Sequence, residues 1–157
     1  ILLLFMILAI LMGTQNSYAH YNSAPNDYCY RCHKGGSAPA FIEVKGLPKF
    51  YVPKKRYMVT VIVESNIKSF GDNMGGFSVK AEDGKLIVSD EHNTQISGPF
   101  LTHTIEGAKL RKWTFIWQAP EEKKKTRIYI YVVAANGDFT PTGDSMGSVI
   151  LTLSPKS

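Results

Sequence analysis

The chain has 157 residues, with 18 Lys and Arg, 13 Asp and Glu, and two cysteines. That length suits one domain with its own core, and two cysteines exclude both a disulfide-rich scaffold and a four-cysteine zinc site. The positive charge is concentrated in "PKKRY" and "EEKKKTR". Because these lysines fall at predicted strand starts and turns, we interpret them as solvated side chains and not as a nucleic-acid surface. The alternative is a docking patch for an acidic redox partner or an anionic surface.

The first 19 residues have the pattern of an export signal. "ILLLFMILAILM" is an apolar run without a charge, and the small residues Ser17 and Ala19 follow at the positions that a signal peptidase requires. Cleavage after Ala19 would make His20 the first mature residue, and retention of the segment as an anchor is the alternative. Either outcome places the remaining chain outside the cytoplasm, in a secreted, periplasmic or cell-surface location.

Residues 20–39 contain the most specific motif of the chain. Cys29, Cys32 and His33 form the C-x-x-C-H pattern of c-type haem attachment, in which two thiols hold the porphyrin and the histidine is the proximal iron ligand. This segment is poor in aliphatic residues, so we expect a loose tail unless a cofactor such as one covalent haem c organises it. A Cys29–Cys32 disulfide is the main alternative, although it leaves His33 without a role. Zinc would need two histidines to complete the cysteine pair.

The rest of the chain, residues 40–157, predicts β-structure throughout. Short alternating segments rich in β-branched and aromatic residues are separated by turn signals such as "EDGK" and "NGDFTPTGD". Seven or eight strands at this spacing indicate an all-β fold, an immunoglobulin-like antiparallel β-sandwich, with a closed barrel as the alternative. The predicted strands cover residues 41–47, 57–65, 76–81, 85–89, 100–105, 112–119, 127–135 and 148–154.

Several pieces of this region resemble the Reeler-type domain, particularly the extracellular prokaryotic versions known as choice-of-anchor V. They are "GLPKFYVPKKRYMVTV", "GGFSVKAEDGKL", "THT", "WTFIWQAP" and "AANGDFTPTGD", in the expected order. The resemblance implies an immunoglobulin-like fold. Many prokaryotic members also carry a C-x-x-C-H shortly before the sandwich, so the resemblance further implies an exported single-haem protein, without naming a substrate.

The ligand on the other side of the iron is not specified by any spacing. His103, in "THT", ranks first as the distal ligand, and Met74, Met146 and His20 are the alternatives. A strand histidine held for structural reasons would explain His103 equally well, since Reeler domains without haem also show this piece. Met58 is expected in the core, and His92 in a solvated loop.

The sequence therefore predicts an exported monohaem c-type cytochrome that transfers electrons at or outside the cell surface. We expect redox partner proteins, possible self-assembly or a membrane complex, and no nucleic acid. A copper protein that uses the N-terminal His20 together with His103 is one alternative. An adhesion module without haem is another alternative. Its binding residues would be the strand aromatics Trp113, Trp117, Tyr129 and Tyr131, although the alternation of these strands favours packing in the core. No catalytic residues can be assigned, so an enzyme is not indicated.

Overall fold

The computed structural model describes residues 29–157. The predicted signal segment, residues 1–19, and the candidate ligand His20 lie outside the described residues. One helical turn, α1 (Cys29–Cys32), precedes eleven strands, and a 3-10 helix (Gly107–Lys109) lies between the eighth and ninth. The strands are β1 (Lys34–Gly35), β2 (Phe41–Lys45), β3 (Phe50–Tyr51), β4 (Arg56–Glu64), β5 (Gly75–Ala81), β6 (Lys85–Val88), β7 (Thr94–Ser97), β8 (Phe100–His103), β9 (Lys112–Gln118), β10 (Thr126–Ala134) and β11 (Thr142–Pro155).

The strands form two sheets that pack face to face. The seven-stranded sheet has the order β1-β11-β10-β5-β8-β7, with β3 also paired to β11, and the four-stranded sheet has the order β2-β4-β9-β6. All pairs are antiparallel except the two short ones, β1 and β3, which run parallel to β11. The fold is an all-β sandwich, as predicted, and the two separate sheets do not form the closed barrel that was the alternative. Within residues 29–157 there is no helix with the length and apolar character needed to cross a bilayer.

The core lies between the two sheets and is rich in large aromatic side chains. Trp113, Phe115 and Trp117 of β9 point inward together and are at most 1% exposed. Phe77 of β5 stacks on Trp113 across the sandwich, with ring centroids 4.7 Å apart. Inward-facing aliphatic residues of β4 and β10 fill the space around them. The alternation of the strand sequences dictates this arrangement, because every second residue must be covered by the opposite sheet.

Each of the eight predicted strands is present, with ends shifted by a few residues. Three short strands, β1, β3 and β7, were not predicted. β11 begins six residues earlier than expected, at Thr142, inside a segment whose glycines and Thr-Pro-Thr indicated a turn. This early part forms a strand because β1 pairs with it on its outer edge.

Three side-chain predictions based on alternation were wrong. Met58 is 56% exposed, because its neighbours Tyr57 and Val59 point inward and Met58 therefore points outward. Tyr129 and Tyr131 of β10 are only half-buried and also point outward, since the neighbouring Ile128 and Ile130 occupy the core. Trp113 and Trp117 are in the core, as expected.

The outward side of the seven-stranded sheet, here called the shielded face, has an unusual composition. Directly opposite residues of an antiparallel pair project to the same side, so the register identifies its members. One row across three strands is Met146, Val133 and Gly76, and the next contains Ser148, Tyr131, Ser78 and Thr102. Several of these residues are buried although they lie outside the core: Val133 is 9% exposed and Ser78 is 5% exposed.

Candidate functional site

The cysteine motif folds as one turn of helix at the start of the described chain. The backbone N–H of His33 donates a hydrogen bond to the Cys29 carbonyl at 2.9 Å, which closes the turn. Residues three apart are neighbours on a helix, so the thiols of Cys29 and Cys32 lie on the same side of it. Cys32 is exposed, Cys29 is half-buried, and the two are not joined by a disulfide.

Backbone hydrogen bonds to β11 hold the residues that follow this turn. The N–H of Lys34 donates to the Pro141 carbonyl at 3.0 Å, and the N–H of Gly36 donates to the Asp144 carbonyl at 2.9 Å. The Ser145 hydroxyl also donates to the Ala38 carbonyl at 2.5 Å. The sequence predicts a loose tail unless a cofactor organises this segment, and for residues 33–38 hydrogen bonds to β11 hold the chain.

The His33 side chain is oriented by a buried carboxylate. Its Nδ1 lies 2.7 Å from Oδ2 of Asp144, whose side chain is 2% exposed, whereas that of His33 is 36% exposed. The other oxygen, Oδ1, accepts the backbone N–H of Asn136 at 2.9 Å. Because a carboxylate only accepts hydrogen bonds, Nδ1 is the donor and carries the proton. The Nε2 atom has no hydrogen-bond partner among residues 29–157 and is available as an electron-pair donor.

His103 is held at the end of β8 by the main chain of Phe77. Its Nδ1 lies 3.1 Å from the Phe77 carbonyl oxygen, and the Phe77 backbone N–H donates to the same Nδ1 at 3.2 Å. Burial lowers the pKa of His103, and the nearby charge of His33 lowers it further, while the hydrogen bond to the Phe77 carbonyl opposes the shift. The imidazole is therefore neutral near pH 7, and its Nε2 has no hydrogen-bond partner in the described part of the chain.

Both histidines lie at the end of the sheet where β8 and β10 end and β5 and β11 begin. The His103 ring lies over Gly76, since a Cβ added there would be 2.8 Å from Cε1 and 3.2 Å from Nε2 of the ring. Asp144, the partner of His33, precedes Met146 by two residues and thus projects to the same side of β11. Two strand spacings, about 10 Å, separate Met146 from Gly76.

Ser78 adds a polar group to this enclosed region. It lies on the shielded face, two residues from Gly76 on β5, and its hydroxyl has no hydrogen-bond partner among the described residues. A buried hydroxyl without a partner costs free energy in a folded protein. This part of the surface is therefore better suited to a polar occupant than to tight apolar packing alone.

The methionines and the remaining histidine considered as iron ligands lie in different places relative to the shielded face. Met146 is on the shielded face, paired with Val133. Met74 directly precedes β5, is 36% exposed, and has its carbonyl held by the Arg111 Nε at 2.9 Å. His92 is exposed in its loop, as expected, and its carbonyl accepts the Thr104 hydroxyl. Met146 thus lies on the shielded face and the His103 ring lies beside Gly76 at one end of it, whereas His20 is not among the described residues.

No cluster of three or more His, Cys, Asp or Glu side chains within residues 29–157 has metal-site geometry. The predicted copper site depends on His20, so its geometry lies outside the described residues. His103 and His33 form at most a pair of nitrogen donors among the described residues, and the sulfur atoms that accompany them are the thiols of α1 and the thioether of Met146.

Two residues of the site were missed by the sequence analysis. Asp144 belongs to "TPTGD", which looked like a solvated turn, and nothing local distinguishes it from the other acids of the loops. Gly76 was assigned to a strand without a special role. Its contact with His103 depends on the pairing of β5 with β8, which is a long-range property.

Comparison with solved structures gives the fold type. The human F-spondin Reeler domain matches in two crystal fragments, with TM-scores of 0.50 and 0.50 and sequence identities of 18% and 19%. The Reelin-N domain of F-spondin matches with a TM-score of 0.52 and 17% identity, covering 80% of this chain and 91% of that one. The fold is of the Reeler type. The match to the first human fragment covers 79% of this chain and 94% of the fragment, and the match to the second covers 78% and 96%.

No protein-family model and no curated protein matches the sequence. The fold predicted from the resemblance to Reeler-type domains is thus confirmed at the level of architecture. At identities below one fifth the comparison extends to the fold and not to the chemistry, which has to be argued from the site itself.

Proposed function

We propose that the protein is an exported monohaem c-type cytochrome that transfers single electrons outside the cytoplasm. The observation that carries the proposal is the His33–Asp144 hydrogen bond at 2.7 Å. A histidine that ligates a metal usually donates its second ring N–H to a carboxylate or carbonyl, which fixes the tautomer and the ring orientation. His33 has this arrangement, and it directly follows two thiols on one helical turn.

The donor set fits a covalently attached haem. Cys29 and Cys32 would form the two thioether bonds, and His33 would be the proximal ligand through Nε2. A haem bound there supplies a one-electron iron couple, so that one electron enters from a reduced partner and leaves to an oxidised one without any bond being made or broken. Asp144 keeps the proton on Nδ1 and increases the basicity of the imidazole, which favours the oxidised state of a bound metal.

His103 is the distal ligand that the contacts support best. Its Nδ1 contacts the main chain of Phe77, and its ring lies over Gly76, at the end of the sheet where α1 is also held. Its depressed pKa, caused mainly by burial, keeps the imidazole in the neutral form that binds metal. Met146 shares this face and is the alternative. A bis-histidine pair gives a lower reduction potential than a histidine–methionine pair.

Export through the N-terminal apolar segment belongs to the same proposal. Haem of this type is attached outside the cytoplasmic membrane, where the predicted signal would deliver the chain. The Reeler-type fold of the structural neighbours supports an extracytoplasmic location without specifying the compartment. Redox partner proteins, self-assembly of copies and a membrane complex are the expected associations.

The haem proposal is tested by expressing the full chain in a host that attaches haem to exported proteins. We expect a purified protein with sharp reduced c-type absorption bands, which survive extraction with acidified acetone because the haem is covalently bound. Replacement of both Cys29 and Cys32 by Ser should abolish the retained haem. A colourless protein with a Cys29–Cys32 disulfide would show that the proposal is wrong.

Single substitutions then show which candidate side chain ligates the iron opposite His33. His103→Ala should convert a low-spin spectrum into a high-spin one, whereas Met146→Leu and Met74→Leu should leave it low-spin. His92→Ala is the matched control, because the His92 side chain is exposed in its loop. A high-spin shift in Met146→Leu alone would assign the distal position to Met146.

A further inference from the structure

The positive charge of the protein is concentrated at one end of the sandwich. Segments 49–56, 82–85, 121–127 and 154–156 contain ten Lys or Arg and four Asp or Glu, a net charge of +6. The whole chain carries +5, so the remainder of the molecule is slightly negative. We call these four segments the basic end. The sequence showed two separate lysine-rich stretches, and the fold combines them into one surface.

Hydrogen bonds between the segments make the basic end a defined surface. The Tyr51 hydroxyl donates to the Lys124 carbonyl at 2.7 Å, and the N–H of Lys156 donates to the Tyr51 carbonyl at 2.7 Å. The N–H of Lys54 donates to the Pro120 carbonyl at 3.3 Å. Tyr51 itself is completely buried, so it fixes three of the segments from inside.

The acidic residues of the basic end are already neutralised within it. Glu121 pairs with Lys54, and Glu82 pairs with Arg127. Asp83 and Glu122 both pair with Lys124. Six exposed lysines at this end have no carboxylate partner among the described residues. Their charges are available to an external anion, and they are spread over the surface and not directed into a pocket.

Two exposed apolar side chains lie among these lysines. Phe50 is 57% exposed and Val52 is 42% exposed, because Tyr51 between them points into the core. The Lys49 Nζ lies 5.7 Å from the centroid of the Phe50 ring. Exposed aromatic and aliphatic side chains surrounded by lysines are the combination found on proteins that lie at the bilayer interface, where the ring enters the headgroup region and the ammonium groups meet lipid phosphates.

We propose that the basic end docks on an anionic lipid surface. Eight of its ten cations are lysines. Lysine is a hydrated point charge suited to a diffuse anionic surface, whereas recognition of particular carboxylates in a protein favours arginine. Each lysine near an anionic bilayer contributes enough attraction to increase partitioning about fivefold. The proposal does not depend on the presence of haem.

Docking in this way would orient the molecule. β11 runs from Thr142, beside α1, to Pro155, beside Lys156 at the basic end. Fourteen residues at about 3.3 Å each place the two ends of this strand up to roughly 40 Å apart. The C-x-x-C-H turn would then point away from the lipid surface, where a soluble partner could reach it.

The proposal is tested with the full chain and lipid vesicles. Partitioning is measured by co-sedimentation with vesicles of phosphatidylcholine and with vesicles in which about one third is replaced by phosphatidylglycerol. The quantity of interest is the ratio of the two partition coefficients, because an uncharged apolar contribution from any other part of the chain cancels in it. We expect a ratio well above one that decreases steeply as salt is added.

Variants locate the binding surface. The triple change Lys49→Gln, Lys123→Gln and Lys125→Gln should reduce the ratio about a hundredfold. The matched control Lys45→Gln, Lys68→Gln and Lys112→Gln removes the same charge from exposed lysines elsewhere and should change it less than about fivefold. Phe50→Ser should weaken binding to the anionic vesicles about tenfold, since it removes the inserted ring.

Other results would overturn the proposal. Equal losses in the two triple variants would mean that net charge and not the basic end determines binding. Binding to soluble polyglutamate with no preference for anionic vesicles, and no effect of Phe50→Ser, would identify an acidic protein as the partner in place of a lipid surface.

Discussion

The two sheets of the sandwich present outward sides of opposite character. On the four-stranded sheet the outward side chains are solvated: Met58 is 56% exposed, and the hydroxyls of Thr60 and Thr114 pair with each other at 3.2 Å. On the seven-stranded sheet Val133 and Ser78 point outward and yet are buried. Strands of similar alternation thus produce one ordinary surface and one shielded face, and the difference is associated with the C-x-x-C-H turn and His103.

The shielded face also contains the buried charge of the site. Asp144 is 1% exposed, while the acids of the opposite end are paired at the surface. Surface ion pairs contribute little to stability, whereas a buried carboxylate with several hydrogen bonds contributes more. The shielded face should therefore respond strongly to single substitutions, and the solvated side should not.

The largest effect is expected for Asp144→Ala. The change removes the acceptor of the His33 Nδ1–H and leaves the N–H of Asn136 without its partner. We expect the free energy of unfolding to fall by about 2–3 kcal/mol, measured by urea denaturation. Asp72→Ala is the control, because Asp72 is an exposed acid near the same end, and it should change stability by less than about 0.5 kcal/mol. Equal effects of the two changes would mean that Asp144 does not organise the site.

A matched pair of apolar truncations compares the two outward sides directly. Val133→Ala removes buried methyl groups from the shielded face and should lower the free energy of unfolding by about 1.5 kcal/mol. Met58→Ala removes a larger side chain from the solvated side and should lower the free energy of unfolding by less than about 0.5 kcal/mol. Thermal unfolding of both variants under the same conditions gives the comparison. A larger loss for Met58→Ala would contradict the assignment of the two sides.

The sequence could predict the sheets but not these differences between their sides. Period-two alternation identified eight of the nine strands with four or more residues, because each has to cover one side of a common core, and it missed β7. Alternation does not indicate which side is inward, which is why Met58, Tyr129 and Tyr131 were assigned wrongly to the core. Two-residue strands such as β1 are too short to show a period, and they exist only because a neighbour provides the hydrogen bonds.

The candidate site divides in the same way into local and long-range parts. Cys29, Cys32 and His33 form a contiguous motif and were found directly from their spacing. Asp144 is more than one hundred positions away in the chain and meets His33 only when β1 pairs with β11. The contact of His33 with the Asp144 carboxylate and that of His103 with the main chain of Phe77 became visible only in the folded structure.

The smallest expected effect on stability is that of removing a serine hydroxyl, and its sign differs between the two sheets. Ser78 is buried on the shielded face, and its hydroxyl lacks a hydrogen-bond partner among the described residues. Ser78→Ala should therefore increase the free energy of unfolding of the haem-free protein by about 1 kcal/mol, because the cost of desolvating the hydroxyl disappears. Ser89→Ala is the matched control: Ser89 is exposed near the four-stranded sheet and donates to the Thr114 carbonyl at 3.2 Å. Its replacement should lower stability slightly or leave it unchanged. If Ser78→Ala is destabilising in urea denaturation, the hydroxyl has a partner that the structure of residues 29–157 does not contain, and the shielded face is better satisfied than its contacts indicate.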